Sequence, residues 1–291
     1  MMLLINPHAG KGGYKSSLGE VLSVFCAAGW EPTVFFTHAS GDAPKLVCDN
    51  AINYDMVVCV GGDGTLSETV SGMMVAPEKR PVGYIPLGTA NDVARTLELP
   101  ARPVDAARQI VSGSRYSFDV GQFGTDRFFT YVAAFGAFTE VSYGTPQETK
   151  QALGHLAYML EGIRSLSKIT PRRAIVEYDG GVIDGEFVFG AVTNSTSIAG
   201  LVKLDKSSVH LDDGMFEVLL VRMPRTLTDL NDILTAVLSN NFDVPNVYFL
   251  RSREVRMMFT EPVAWTRDGE DGGKHKDVYI VNRHPGVDLV V

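Results

Sequence analysis

Short apolar runs along the chain stop at glycine-rich turns, and helical periodicity resumes beyond each turn. Val57, Val58, Cys59 and Val60 form one such run. Gly61 and Gly62 end it, and Leu66, Val70, Met73 and Met74 then recur at helical spacing. A run of this kind predicts a strand buried on both faces, followed by a helix whose N-terminus sits at the turn. The pattern repeats at residues 1–5, which close at Asn6-Pro7-His8-Ala9-Gly10. A helix is expected from near Ser16, carrying Leu18, Val21, Leu22 and Phe25. Residues 30–36 and 82–86 read as further strands, and 43–52 and 104–111 as helices. Alternating strands and helices predict right-handed βαβ units and a parallel sheet. Ligands of such sheets bind beyond the carboxyl ends of the strands, and Asn6, Thr37, Gly88 and the turn at 61–65 all fall there.

The texture changes near Tyr116. Strand-like runs follow one another at 117–122, 127–135, 174–178, 186–193, 215–222, 247–259 and 278–281, with glycine turns at Asp179-Gly180, Asp184-Gly185, Asp213-Gly214 and Asp268-Gly269. Two helical patterns interrupt them, at 150–167 and 227–238, the second with Thr226 or Thr228 as its cap. The expected fold is α/β plus all-β: an N-terminal doubly wound parallel α/β nucleotide-binding domain over 1–115, then an antiparallel β-sandwich domain with helical inserts over 116–291. The extreme C-terminus is left open as an element returning to the first domain.

Composition narrows the function. The 291 residues carry a net charge of −8 without any basic tract, which argues against a nucleic-acid partner. Cys26, Cys48 and Cys59 lie in or beside apolar runs with no CxxC spacing, and read as small core residues of a reducing cytoplasm. The chain opens on a strand with no leader-like segment ahead of it. No apolar run reaches the roughly 18 residues of a membrane span. A cytoplasmic protein, touching a membrane at most from outside, is expected.

The turns carry the candidate chemistry. Glycine lets backbone approach a ligand closely, and a helix N-terminus presents N–H groups and a positive dipole end, so the 61–65 turn suits phosphate. Asp63 would repel phosphate unless a cation stands between them. The Gly10-Lys11-Gly12-Gly13 turn lacks the Walker spacing and alone reads equally well as a plain loop. Gly88 makes a turn after which Asn91 or Asp92 can cap a helix. His210-Leu211-Asp212-Asp213-Gly214-Met215 reads either as a type I turn or as a hard-cation site built from a carboxylate and backbone carbonyls. Asp268-Gly269-Glu270 reads either as an exposed acidic turn or as the place of a general base.

Asn6-Pro7 with Gly10, Gly61-Gly62-Asp63-Gly64-Thr65, the run Pro86-Leu87-Gly88-Thr89-Ala90-Asn91-Asp92-Val93-Ala94-Arg95, Asp212-Asp213-Gly214 and Asp268-Gly269-Glu270 occur in that order. The order resembles the diacylglycerol kinase catalytic family, in particular its soluble bacterial lipid kinases, over nearly the whole chain. The Gly-Gly-Asp-Gly-Thr turn is shared with NAD kinases; the run through Arg95 is the more specific signature. The resemblance implies an ATP-dependent kinase that phosphorylates a lipid hydroxyl, such as that of diacylglycerol, with Mg²⁺. It implies nucleotide contacts from Asn6, Pro7, His8, Ala9, Gly10, Thr37, Gly61, Gly62, Asp63, Gly64, Thr65, Leu66, Ser67, Glu68, Gly88, Thr89, Asn91 and Asp92. It implies a metal held by the Asp213 carboxylate with the carbonyls of His210 and Met215, with Asp63 and Asp119 in its water shell. It places the base at Glu270, with Asp268 as competitor. The lipid alcohol would be met at a membrane surface, where the apolar stripe of 151–166 is one contact candidate, although such a stripe more often faces a core. A homodimer is left open. The competing readings are an NAD-kinase-like small-molecule kinase and a non-catalytic nucleotide-binding module.

Overall fold

The first strand, β1 (Met2–Ile5), is apolar at every position and buried throughout. A strand with no polar face can only sit inside a sheet covered on both sides. β2 (Thr33–Phe36) and β3 (Val57–Gly61) flank it in parallel, pairing Ile5 with Phe36 and with Val60. β4 (Val82–Pro86) runs parallel to β3, with Gly61 opposite Pro86. The four strands therefore end level with one another, and the residues that follow, Asn6, Thr37, Gly62 and Leu87, lie along one edge.

Helices α1 (Tyr14–Ala27), α2 (Asp42–Asn50), α3 (Asp63–Val75), α4 (Asp92–Thr96) and α5 (Pro103–Ser112) follow these strands. Leu3, Ile5, Val58, Val60 and Ile85 share one core cluster with Val21 and Phe25 of α1 and Ala106, Ala107 and Ile110 of α5. Each such large apolar side chain contributes about 1.5–3 kcal/mol on burial. α1 begins at Tyr14, two residues ahead of the expected start, after a 3₁₀ turn over Ala9–Gly12.

The computed structural model describes residues 1–136, 170–198, 202–204 and 209–291. The helical pattern at 150–167, its apolar stripe and Ser207-Ser208 lie outside the described residues. The chain divides into two compact units: Met1–Tyr131 with Leu211–Gly214 and Arg283–Val291, and Val132–His210 with Met215–Asn282. The first unit adds β5 (Arg115–Phe123), which pairs with β6 (Arg127–Phe129).

The second unit is antiparallel and β-rich, with β7 (Val132–Gly136), β8 (Arg172–Tyr178), β9 (Gly181–Thr193), the short pair β10 (Ser197–Ile198) and β11 (Val202–Lys203), β12 (Phe216–Arg222), β13 (Val247–Ser252) and β14 (Glu254–Arg267). β9 pairs with β8 through its first half and with β7 through its second; β14 does the same, so the four strands close a circuit. Phe135, Phe259 and Trp265 pack edge-to-face or tilted at ring-centroid distances of 4.9 to 6.2 Å. The expected strand at 247–259 is broken at Arg253, where β13 leaves to pair with β12 and β14 begins. The last strand, β15 (Glu270–Val290), pairs antiparallel with β14 at its start and parallel with β4 at Leu289 and Val290. α6 (Leu227–Ser239) starts on a capping box: Thr226 Oγ1 accepts the Asp229 N–H at 3.0 Å and Asp229 Oδ2 accepts the Thr226 N–H at 3.2 Å. Thr226, not Thr228, is the cap.

The fold is thus an α/β domain followed by a β-rich one. Among the described residues, no helix is long and apolar enough to cross a membrane. Of the cysteines only Cys59 is buried, where burial pushes its thiol up to about 12; Cys48 is half-buried and Cys26 is exposed on α1, against the core placement expected for it.

Candidate active site

The turns after β1, β3 and β4 meet at backbone contact distance. A Cβ built on Gly10 would stand 2.4 Å from the Leu87 carbonyl oxygen, and one on Gly88 would stand 2.7 Å from Gly62 Cα. Only glycine permits these approaches, and Gly10 also holds φ +55, where a side chain is strained. The Leu87 N–H donates to the Gly61 carbonyl at 2.7 Å, and Asn6 Nδ2 donates to Thr65 Oγ1 at 3.0 Å. Asn6 Oδ1 accepts the His8 N–H at 2.9 Å, which shapes the Pro7–His8–Ala9 turn.

α3 begins at Asp63, and its first intrahelical hydrogen bond runs from Leu66 N to the Gly62 carbonyl at 3.0 Å. The N–H groups of Gly64 and Thr65 precede that bond and lie at the positive end of the helix dipole. Leu66 itself is fully buried in the core, and Ser67 is half-buried. Glu68 Oε1 accepts Ser40 Oγ–H at 3.1 Å and the Gly41 N–H at 2.7 Å, tying the loop after β2 to α3. That loop begins at buried Thr37, whose N–H donates to the Ile5 carbonyl. The N–H groups of His38 and Ala39 donate to Asp42 Oδ2 at 2.8 and 2.9 Å, which holds the Asp42 carboxyl below its usual range.

The loop after β4 differs from its sequence reading. Asn91 takes a left-handed φ of 50 and makes no capping hydrogen bond to α4. Its Nδ2 donates to the Gly88 carbonyl at 2.8 Å, and its Oδ1 accepts the Tyr84 hydroxyl at 3.3 Å. Burial and then the Asp63 charge push the Tyr84 phenol up, so that it stays a donor. Asp63 reaches across instead: its Oδ1 takes the Val93 N–H at 3.4 Å, within the first turn of α4. Burial raises the Asp92 carboxyl, against the lowering effect of Arg95. Thr89 is exposed at the tip.

Asp119 on β5 is fully buried. Its Oδ2 accepts the Gly214 N–H at 2.7 Å, its Oδ1 lies 2.7 Å from His284 Nδ1, and its own N–H donates to the Leu211 carbonyl at 2.8 Å. The Asp212-Asp213 turn is thereby docked on β5. Asp212 is exposed and Asp213 half-buried, and the Asp212 carboxylate helps burial push the Tyr116 phenol up to about 12. His210 is exposed and Met215 half-buried. In the second unit, Asp268 is 6% exposed with φ 48, whereas Glu270 is exposed at the start of β15.

Among the described residues no three His, Cys, Asp or Glu side chains gather into a metal cage. The acids around the turns offer hard oxygen donors, which suit a cation shared with backbone carbonyls and phosphate oxygens.

Residues 1–123 match the model of the diacylglycerol kinase catalytic domain. Residues 136–286 match the YegS C-terminal NAD kinase beta sandwich-like domain. The chain is 31% identical over 273 residues to a diacylglycerol kinase of Bacillus subtilis (strain 168), covering 93% of this chain and 89% of that one. The chain belongs to the diacylglycerol kinase catalytic family. It is 34% identical over 275 residues to a diacylglycerol kinase of Staphylococcus carnosus (strain TM300), covering 94% and 89%. The crystal structure of a diacylglycerol kinase from Bacillus anthracis str. Sterne superposes with a TM-score of 0.79 over 99% of this chain and 96% of that one, at 24% identity, which shows the fold. As a member of this family the protein is a kinase, a phosphotransferase with an alcohol as acceptor.

The sequence reading missed His284, which lies 165 positions from the aspartate it meets. No spacing rule joins residues so far apart.

Proposed function

We propose that this kinase transfers the γ-phosphoryl group of ATP to the hydroxyl of a lipid, with diacylglycerol as the acceptor its relatives' names point to. The carrying observation is the meeting of the turns after β1, β3 and β4, so close that a Cβ on Gly10, Gly62 or Gly88 would press on the neighbouring turn. Converging glycine turns beside a helix N-terminus offer backbone N–H groups that suit a triphosphate. Asn6, Thr65 and the N–H groups of Gly64 and Thr65 orient the phosphates, and Glu68 fixes the loop after Thr37 for the rest of the nucleotide.

Acidic side chains beside phosphate fit Mg²⁺. The Asp213 carboxylate, with the carbonyls of His210 and Met215, would hold it. Bound there, the ion supplies charge neutralisation on the phosphate oxygens. Asp63 keeps the turn after β3 joined to α4 while the phosphates are bound. Glu270 accepts the proton of the lipid hydroxyl. It is the exposed carboxylate of its turn, while Asp268 is buried and engaged with the backbone. In phosphoryl transfer most of the rate comes from such positioning and electrostatics.

The test is transfer of label from γ-³²P-ATP in the presence of Mg²⁺ to a panel of lipid alcohols in mixed micelles. Label recovered in the organic phase with diacylglycerol supports the proposal. Label carried only by a water-soluble dinucleotide, with NAD as acceptor, would overturn it.

A further inference from the structure

Asp119, which the family resemblance sets in the metal's water shell, is also tied into the fold by both of its carboxylate oxygens. Its carboxylate has no exposure to solvent, and a buried carboxylate must be hydrogen-bonded to persist as an ion. One oxygen accepts the Gly214 N–H at 2.7 Å and the other lies 2.7 Å from His284 Nδ1. A carboxylate ion only accepts, so the ring nitrogen facing it is the one that carries the proton. With the Asp119 N–H on the Leu211 carbonyl, both ends of the turn Leu211–Gly214 are hung on this one residue.

The segment that presents His284 is itself fixed on both sides. Arg283 Nε donates to Gln122 Oε1, and Lys79 Nζ donates to the Gly286 carbonyl at 2.7 Å. A Cβ on Gly286 would stand 2.5 Å from the Phe118 carbonyl, so the segment lies directly against the residues flanking Asp119. The backbone at 283–286 is therefore held by contacts other than the imidazole. Among the described residues, the imidazole, 45% exposed, meets the buried Asp119 carboxylate.

We infer that His284 is a positioning residue: through Asp119 it holds the Leu211–Gly214 turn where the Asp213 carboxylate can take a divalent cation. This rests on the metal reading given above. Without the Nδ1 donor, Asp119 Oδ1 loses the hydrogen bond that His284 makes to it. The carboxylate is then held less firmly against the Gly214 N–H, and the turn that carries Asp213 with it. Groups that orient a metal ligand from behind in this way typically change affinity by about 10- to 100-fold.

The test uses the full chain and Mn²⁺ alone as the probe, with free Mn²⁺ read by electron paramagnetic resonance. His284→Ala removes the donor. His284→Asn returns an N–H near the position of Nδ1, and His284→Gln places one further out. Asp213→Asn marks the site. The expected result is Mn²⁺ binding by the parent, loss in Asp213→Asn, weakening by about 10- to 100-fold in His284→Ala, and recovery to near the parent in His284→Asn. The Mg²⁺ concentration giving half the maximal phosphotransfer rate should move by the same factor. Parent-like Mn²⁺ binding by His284→Ala would overturn the role of His284 while leaving the metal reading standing. If His284→Ala does not fold, equal binding by His284→Asn and His284→Gln overturns it in the same way. No Mn²⁺ binding by the parent, or none sensitive to Asp213→Asn, overturns the metal reading, and this inference falls with it.

Discussion

Asp268 and Val132 clasp each other: the Asp268 N–H donates to the Val132 carbonyl at 2.8 Å, and Asp268 Oδ1 accepts the Val132 N–H at 3.1 Å. The clasp joins the end of β14 to the start of β7 and holds Asp268 in a left-handed conformation. A carboxylate so engaged is a turn-forming group, and the proposed function gives the proton to Glu270.

The two acids should therefore separate on substitution. Glu270→Gln is expected to lower kcat by about 10²- to 10⁴-fold, with melting temperature and ATP KM unchanged. Asp268→Asn keeps a side-chain acceptor and suits the left-handed conformation, so its melting temperature should stay near the parent's with only a small loss of rate. Asp268→Ala should lose about 1–2 kcal/mol of stability. A stable Asp268→Asn with the kinetic loss assigned to Glu270 would reverse the roles.

Gly88→Ala should strike the nucleotide turn directly. The added methyl would stand 2.6 Å from Asn91 Oδ1 and 2.7 Å from Gly62 Cα, so one of the two turns must move. Steady-state kinetics should show ATP KM raised at least about tenfold, the equivalent of about 1.4 kcal/mol. An unchanged KM would mean that these two turns do not jointly bind the nucleotide.

Glu68 acts through the Ser40–Gly41 loop. Glu68→Gln retains an oxygen acceptor for Ser40 and Gly41 and should keep ATP KM within about threefold, while Glu68→Ala should raise it by about tenfold. A tenfold loss is about 1.4 kcal/mol, close to the lower end of what a hydrogen bond to a charged group contributes. Equal effects of the two variants would point to the charge itself and not to the loop.

The helix of unit one that follows this loop carries a pH signature. The Asp42 carboxyl is held below its unfolded value of 3.8, chiefly by the His38 and Ala39 N–H groups. A depressed acid stabilises the fold above the unfolded pKa and loses that contribution as pH falls through the folded one. Urea midpoints of the parent and Asp42→Ala should differ at neutral pH and converge below about pH 4. A gap that persists into stronger acid would remove the carboxylate as its cause.

How far the sequence disclosed this depended on distance along the chain. The apolar runs at 57–60 and 82–86 admit one physical solution, strands inside a covered sheet, and the glycines after them announce their turns within a few residues. Thr226 and Asp229, three positions apart, form a capping box, which settles the cap that the sequence left open between Thr226 and Thr228. Asn91 looked like a helix cap because Asn favours that place. Its amide is drawn instead to Gly88 and Tyr84, a choice made by packing at the floor of the turn. The break at Arg253 falls in the polar run Arg251-Ser252-Arg253-Glu254, which the single expected strand ran straight through; β13 pairs with β12 and β14 with β8. The Asp119–His284 contact depends on where two remote segments come together, and no local pattern encodes that.

The most direct measurement of the central claim is hydrogen–deuterium exchange of the full chain with and without ATP and Mg²⁺. Amides within 6–13, 61–68 and 87–96 should all slow together when ATP is added, and should not slow with adenosine alone. Slowing confined to one of these stretches, or none in any of them while ATP is bound, would contradict a triphosphate held where the three turns meet.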